Sequence, residues 1–378
     1  MTISIGGASA LQDRPLSQAA PAHSLPGGQV ITNIQAVRGI ASLMVFLGHS
    51  ILLHPGMGFD WLTPFMGPIA SSGVDIFFVI SGFIIATVAM KSGSDTRYSP
   101  REIAWNFTVK RLTRIYPVFW VVMALALPLA RYVEFSPSWI EHSSNLRQLF
   151  LVTHVNSHIM AAWSLGFEVY FYAVVALALL LWPRGVMSVL AVWSIGTIAI
   201  ILYGSYFGGS WVGAYPVSPM VLEFVFGMLI AWLISRRVFG FAVTSAVLGA
   251  ICFVVGLEVL RLNTWYSLGP WWRTIYSGVP SAFLIYGIVA LEMKRGWKFA
   301  PFWSKFGDAS YSIYIWHQFL LYSMLTICEK AGLLGRVPGP LLLGIWMAIA
   351  LWVGFLSYRY IEIPIQDALN GRLIKRAS

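Results

Sequence analysis

Apolar residues fall in long blocks along this chain, separated by short connections rich in Gly, Pro, polar or basic residues. Blocks of about 17–25 residues, the length a helix needs to cross a bilayer, can be placed at 34–53, 72–91, 114–132, 163–182, 186–203, 217–235, 238–258, 273–293, 309–329 and 340–362. Only helices or closed barrels satisfy their backbone groups in hydrocarbon, and these blocks show no strand-like alternation. The pattern predicts an all-α, polytopic membrane bundle of about ten transmembrane helices. Its least sharply defined members are 186–203 and 217–235, which flank a Gly-, Tyr- and Pro-rich turn.

Composition agrees. The chain is 58% hydrophobic and 11% charged, with a mean hydropathy of +0.72, whereas soluble domains carry about 25% charged residues. The net charge of +10 is unevenly spread. With a cytoplasmic N-terminus, the inner segments hold Arg14 and Arg38, the run from Lys91 to Arg114, Arg184, Arg236 and Arg237, the run from Lys294 to Lys305, and Arg359, Arg372, Lys375 and Arg376. The outer ones keep Arg131, Arg147, Arg261, Arg273, Lys330 and Arg336. The bias places both termini in the cytoplasm, and it makes the basic excess a topology signal rather than a nucleic-acid surface. Residues 1–30, rich in Ala, Gly, Ser and Pro, read as a disordered cytoplasmic tail, 31–366 as the membrane domain and 367–378 as a basic tail. Cys252 and Cys328 give no disulfide framework.

Polar residues inside the apolar blocks are costly and mark candidate chemistry. Arg38 and His49 are eleven positions apart, about three helical turns, and so share a face roughly 16 Å apart along the axis. In the second block, Asp75 reads as a helix-start cap, and Ser81 and Gly82 allow either tight helix packing or close approach of a ligand. Lys110, Arg111 and Arg114 precede the third block, where they serve either as membrane anchors or as a polyanion site, because guanidinium groups bind phosphate oxygens bidentately. Glu168, about 8 Å below the start of the fourth block, is expected at a depth similar to that of His49, about 22 Å up the first. His317 lies in the ninth block, either as a packing element or as a functional group, and Glu223 is a buried carboxylate without an evident partner. His154 and His158 have i, i+4 spacing, but no third ligand is near, and no metal site is expected.

Several motifs, in order, carry a resemblance: Arg38 and His49; Gly73-Val-Asp-Ile-Phe-Phe-Val-Ile-Ser-Gly82; Arg111-Leu-Thr-Arg-Ile-Tyr-Pro117; Trp163-Ser-Leu-Gly-Phe-Glu168 with Tyr170-Phe-Tyr172; Ser310-Tyr-Ser-Ile-Tyr-Ile-Trp-His317; and Glu362-Ile-Pro364. From about Ile34 to Pro364, the chain resembles the integral-membrane acyltransferase family 3, which includes O-acetyltransferases of bacterial exopolysaccharide, lipopolysaccharide and nodulation-factor sugars. The resemblance implies a multi-pass protein of the bacterial inner membrane with acyl-coenzyme A, acetyl-CoA in the commonest case, as donor substrate. It implies a sugar hydroxyl as acceptor, expected on a lipid-linked precursor, and no permanently bound cofactor.

The residues suit that chemistry. A sugar hydroxyl needs a positioned base to attack a thioester, and imidazole has a suitable proton affinity. His49 is the expected base and Glu168 its orienting partner. Arg38, Arg111 and Arg114 are expected to hold the donor phosphates, with the Arg38–His49 spacing comparable to the pantetheine arm. Asp75, Ser81, Tyr172 and His317 are expected in support. Two other functions fit the same polar residues: a proton-coupled transporter of a polar solute, and a non-catalytic subunit of a polysaccharide-assembly complex.

Overall fold

A computed structural model describes residues 31–52, 54, 56–130, 132–133, 145–152, 158–207, 217–263 and 269–374. The expected tail at 1–30 lies outside the described residues. Helix α1, Thr32–Leu52, is held at its start by α8, Val279–Arg295. The Glu292 carboxylate accepts from Thr32 N, Thr32 Oγ1 and Asn33 N, each at 2.8 Å. An anion at a helix N-terminus satisfies otherwise orphaned N–H groups and opposes the helix dipole.

Helices α2, Thr63–Gly93, and α3, Pro100–Leu129, are longer than their apolar blocks. At 31 and 30 residues they reach about 45 Å, beyond the roughly 30 Å of hydrocarbon. The α3 start is written in polar chemistry: Pro100 occupies the first turn, and Ser99 and Glu102 form a reciprocal capping box. Two expectations are corrected by these starts. Lys110, Arg111 and Arg114 lie inside a helix rather than before one, and Asp75 sits mid-helix instead of capping its start.

Next come α4, Trp163–Leu181; α5, Val186–Phe207; α6, Val221–Ser235; and α7, Ala242–Leu262. A π turn, Thr274–Gly278, feeds α8. After α9, Pro301–Asp308, come α10, Ser310–Lys330, and α11, Gly339–Ser357; a second π turn, Tyr358–Glu362, joins α11 to α12, Ile363–Leu373. The helix thus runs past residue 366, where a tail was expected. It is tied to α3 by Thr113 Oγ1 donating to Asn370 Oδ1 at 3.0 Å and Trp105 Nε1 donating to the Leu373 carbonyl at 2.9 Å.

Among the described residues there is no named strand, and eight helical segments are long and apolar enough to cross a membrane. The expected sixth and ninth crossings correspond to α6, a shorter apolar helix of 15 residues, and α10, which is 21 residues long and is not among the eight. The bundle centre is α1 and α2. Gly82 lets α2 meet α6, since a Cβ there would come within 2.2 Å of the Phe224 carbonyl oxygen. The packing reading of Gly82 therefore holds.

The start of α4 decides the site. Before it, a short helix Asn145–Leu149 lies on α3, with Trp120 Nε1 donating to the Leu149 carbonyl at 2.9 Å and Tyr116 OH to the Phe150 carbonyl at 3.1 Å. Ala161 N then donates to Gln318 Oε1 at 2.6 Å, and Ser164 Oγ lies 2.8 Å from Tyr314 OH. The first turn of α4 is therefore level with the middle of α10.

Candidate active site

Arg38 reaches across from α1 to the first residue of α10. Its Nη2 donates to Ser310 Oγ and its Nη1 to Gln35 Oε1, both at 2.9 Å, and the side chain is buried. Arg111 is also buried, with its guanidinium carbon 5.7 Å from the centre of the Phe107 ring and its Nε without a partner. Arg38, Arg111 and Arg114 together line one cavity of about 70 Å³ with Ser81, Glu168 and Tyr172. Ser164, Ser310, Tyr311 and Tyr314 line it as well.

The charge around this cavity is unbalanced. Glu168 is its single lining carboxylate. Among the described residues, the ion pairs within 4.0 Å are Arg97–Asp95, Arg261–Glu258 and Arg273–Asp75. None involves Arg38, Arg111 or Arg114. Asp308, at the end of α9 and outside the spans, is a carboxylate that feels Arg38 and Arg114. Burial pushes its carboxyl up from the ordinary value, with Arg38 and Arg114 opposing the shift. Buried cations left without close anions are costly, and a cavity so lined is suited to an anionic ligand.

Glu168 is not the partner of His49. Its Oε1 accepts from Tyr172 OH at 2.5 Å and Ser81 Oγ at 3.2 Å. The sequence-based expectation placed both residues at one depth by counting from helix starts. Because α4 begins level with the middle of α10, Glu168 instead comes level with Ser310 and Arg38.

The imidazole partner is His317. His49 Nδ1 and His317 Nε2 are 2.8 Å apart, with ring planes 14° apart. His317 Nδ1 lies 2.5 Å from the Tyr314 carbonyl, which can only accept. His317 therefore carries its proton on Nδ1, its Nε2 is an acceptor, and His49 must donate from Nδ1. His49 Nε2 is left with a lone pair. Tyr314 joins the two halves of the site: its ring lines the arginine cavity, while its carbonyl orients the histidine pair.

Asp75 does not line the cavity. Its Oδ1 accepts from Arg273 Nε at 2.7 Å, while Arg273 Nη2 donates to the Ser71 carbonyl at 2.9 Å. Glu223 finds a partner in the π turn before α8, accepting from Thr274 Oγ1 at 3.3 Å. His154 lies outside the described residues, and His158 is held by Gln148, 2.7 Å from its Nδ1. Among the described residues, no group of three His, Cys, Asp or Glu side chains could hold a metal.

Reading the sequence alone quoted Ser310, Tyr314 and Glu362 within motifs but gave none of them a role; Glu362 accepts from Ser312 Oγ at 2.7 Å. The signal was present in Ser310-Tyr-Ser-Ile-Tyr-Ile-Trp-His317, where residues 310, 314 and 317 share a helical face.

The polytopic helical bundle brings an arginine-lined cavity close to an oriented imidazole pair, and the chain belongs to the acyltransferase 3 family. It matches the model described as Acyltransferase domain over residues 31–359. It is 30% identical over 312 residues to the exopolysaccharide production protein ExoZ of Rhizobium meliloti (strain 1021), covering 79% of this chain and 90% of that protein. It is 23% identical over 332 residues to the O-acetyltransferase OatA of Staphylococcus aureus (strain NCTC 8325 / PS 47), covering 78% of this chain and 52% of OatA. No solved structure matches the chain. The protein is thus a multi-pass membrane acyltransferase.

Proposed function

We propose that this enzyme moves an acyl group, acetyl in the simplest case, from acyl-coenzyme A to a hydroxyl of a cell-surface or exopolysaccharide sugar. In this reading, the sugar is carried on a lipid-linked precursor at the bacterial inner membrane. The donor comes from the cytoplasmic side, where both termini lie, and the acceptor from the periplasmic side. The observation that carries the reading is the cavity lined by three arginines and one carboxylate, with no ion pair to those arginines among the described residues. The names of ExoZ and OatA support the acceptor class and acetyl transfer.

Arg38, Arg111 and Arg114 attract the anionic donor and steer its slender arm past Glu168 toward Tyr314. His49 Nε2 takes the proton of the acceptor hydroxyl as that oxygen attacks the thioester carbonyl carbon. The C–O bond forms, the C–S bond breaks, and the leaving sulfur receives the proton from His49, so the products are an ester and a free thiol. His317 keeps His49 in the productive tautomer and spreads the positive charge that develops on it. Glu168, with Ser81 and Tyr172, shapes the arginine field.

The test is stoichiometric. Purified protein given acetyl-CoA and a panel of short or lipid-linked oligosaccharides should release thiol in step with acetyl ester appearing on one sugar. Solute movement into vesicles without thioester consumption would contradict the proposal.

A further inference from the structure

Helix α6 is flanked by an apolar groove on each side. The one between α5 and α6 measures about 490 Å³ and is lined by Leu190, Ala191, Val225, Met228, Leu229 and Trp232, among others. On the other side, α6, α7 and α8 frame one of about 410 Å³, lined by Leu229, Leu233, Phe241, Ala282, Phe283 and Tyr286, among others. Leu229 borders both, so the exposed face of α6 is a ridge between two grooves. The ridge runs from Leu229 through Trp232 to Arg236, positions three and four apart that share a helical face. The Arg236 guanidinium carbon lies 5.8 Å from the centre of the Trp232 ring, a cation–π contact that sets its charge at the mouth of the α5–α6 groove.

The turn after α6 is firmly built. Tyr286 OH on α8 donates to the Gly240 carbonyl at 2.8 Å. Arg237 and Phe241 both take left-handed backbone, with φ of 57° and 56°, a conformation that costs any residue with a Cβ and persists where the surroundings impose it. Phe241 is 83% exposed although it lines the second groove. Arg236 and Arg237 are exposed, and none of the ion pairs among the described residues involves them. At 15 residues, α6 reaches about 22 Å, short of the roughly 30 Å of hydrocarbon, so at least one of its ends lies within the acyl layer. We propose that one two-chain anionic phospholipid sits astride α6, with an acyl chain in each groove and its phosphate on Arg236 and Arg237. Grooves this apolar give free phosphate no reason to stay, and two uncompensated arginines favour an anionic headgroup over one of zero net charge. Helix α6 meets α2 at Gly82, next to Ser81, which donates to Glu168, so the lipid braces one wall of the active-site cavity. The inference stands apart from the acyl-transfer reading.

Native mass spectrometry of the full-length protein in detergent tests the site, with three probes: phosphatidylglycerol, phosphatidylcholine of the same chains, and one-chain lysophosphatidylglycerol. The wild type should bind one phosphatidylglycerol about tenfold more tightly than phosphatidylcholine, the scale of one or two basic residues on a lipid phosphate. It should also bind it at least about tenfold more tightly than the lyso lipid, which buries one chain fewer. Arg236→Gln combined with Arg237→Gln should abolish the headgroup preference, whereas Lys298→Gln combined with Lys305→Gln should leave it. Ala191→Trp, which fills one groove and keeps both arginines, should bring the two-chain lipid down toward the lyso lipid. Phosphatidylglycerol should raise the Tm of the wild type and not that of the arginine double variant. Equal binding of phosphatidylglycerol and phosphatidylcholine by the wild type would reduce the grooves to ordinary lipid-facing surface. Equal binding of the lyso lipid would remove the two-chain arrangement, and a preference that survives both arginine substitutions would place the headgroup elsewhere. Any of these three results would overturn the proposal.

Discussion

At the scale of single residues, the chemistry depends on which atom faces which. His49 Nδ1 faces His317 Nε2, and His317 Nδ1 faces a backbone carbonyl, so the proton positions follow from the acceptor at the end of the chain. In the proposed mechanism His317 acts only through His49. Once His49→Ala has removed the base, adding His317→Ala should therefore slow turnover no further. His317→Gln, whose amide oxygen can still accept from His49 Nδ1, should retain more activity than His317→Ala. Glu168 sits in the other half of the site, so Glu168→Gln and His317→Gln should multiply in their effects on kcat/KM. Rate ratios from this set of variants check both points; equal losses for His317→Gln and His317→Ala would remove the tautomer argument. Arg38 and His49 were legible because charged or titratable groups are costly in an apolar run. The pairing of His49 was not, because it depends on how far the connection before α4 carries the chain down beside α10.

At the scale of helices, the starts are set by polar caps and the crossings by tight packing. Glu292 closes the first turn of α1 with three hydrogen bonds. Glu292→Gln should lower stability by about 1–3 kcal/mol, the scale of charged hydrogen bonds, seen as a lower Tm in detergent. Ser99→Ala opens the capping box of α3 and should cost about 1 kcal/mol. Gly82→Val should be more damaging than either, because its side chain would meet the α6 backbone at Phe224; an unchanged Tm would show that α2 and α6 can separate freely. Hydropathy located the apolar middle of α1 to α8, α10 and α11, passed over α9 and α12, and misjudged the ends. It cannot see that α2 begins at Thr63 and α3 at Pro100, since those turns lie in polar or mixed sequence and are specified by proline and capping residues.

At the scale of the whole molecule, α1 and α2 are enclosed, while α7 and α11 turn apolar side chains outward. Val254 is 66% exposed and Trp352 64%, as expected of surfaces bathed in lipid. Alanine at Val254 should change Tm by less than about 0.5 kcal/mol equivalent. The basic-residue bias predicts that a fluorescent protein fused to the C-terminus glows in the cytoplasm, whereas alkaline phosphatase fused there stays inactive; the reverse pattern would invert the topology. The bundle class was legible from apolar blocks alone. The division of labour along α1, with Arg38 in the arginine cavity and His49 in the imidazole pair, needed the structure to show that Arg38 lines a cavity that His49 does not, while Tyr314 touches both groups. The most direct test of that division compares donor binding and thiol release in two variants. His49→Ala should bind coenzyme A as the wild type does and release thiol at least about 100-fold more slowly, while Arg38→Ala should act mainly by raising the donor KM. Wild-type thiol release by His49→Ala, or unaltered donor KM in Arg38→Ala, would contradict it.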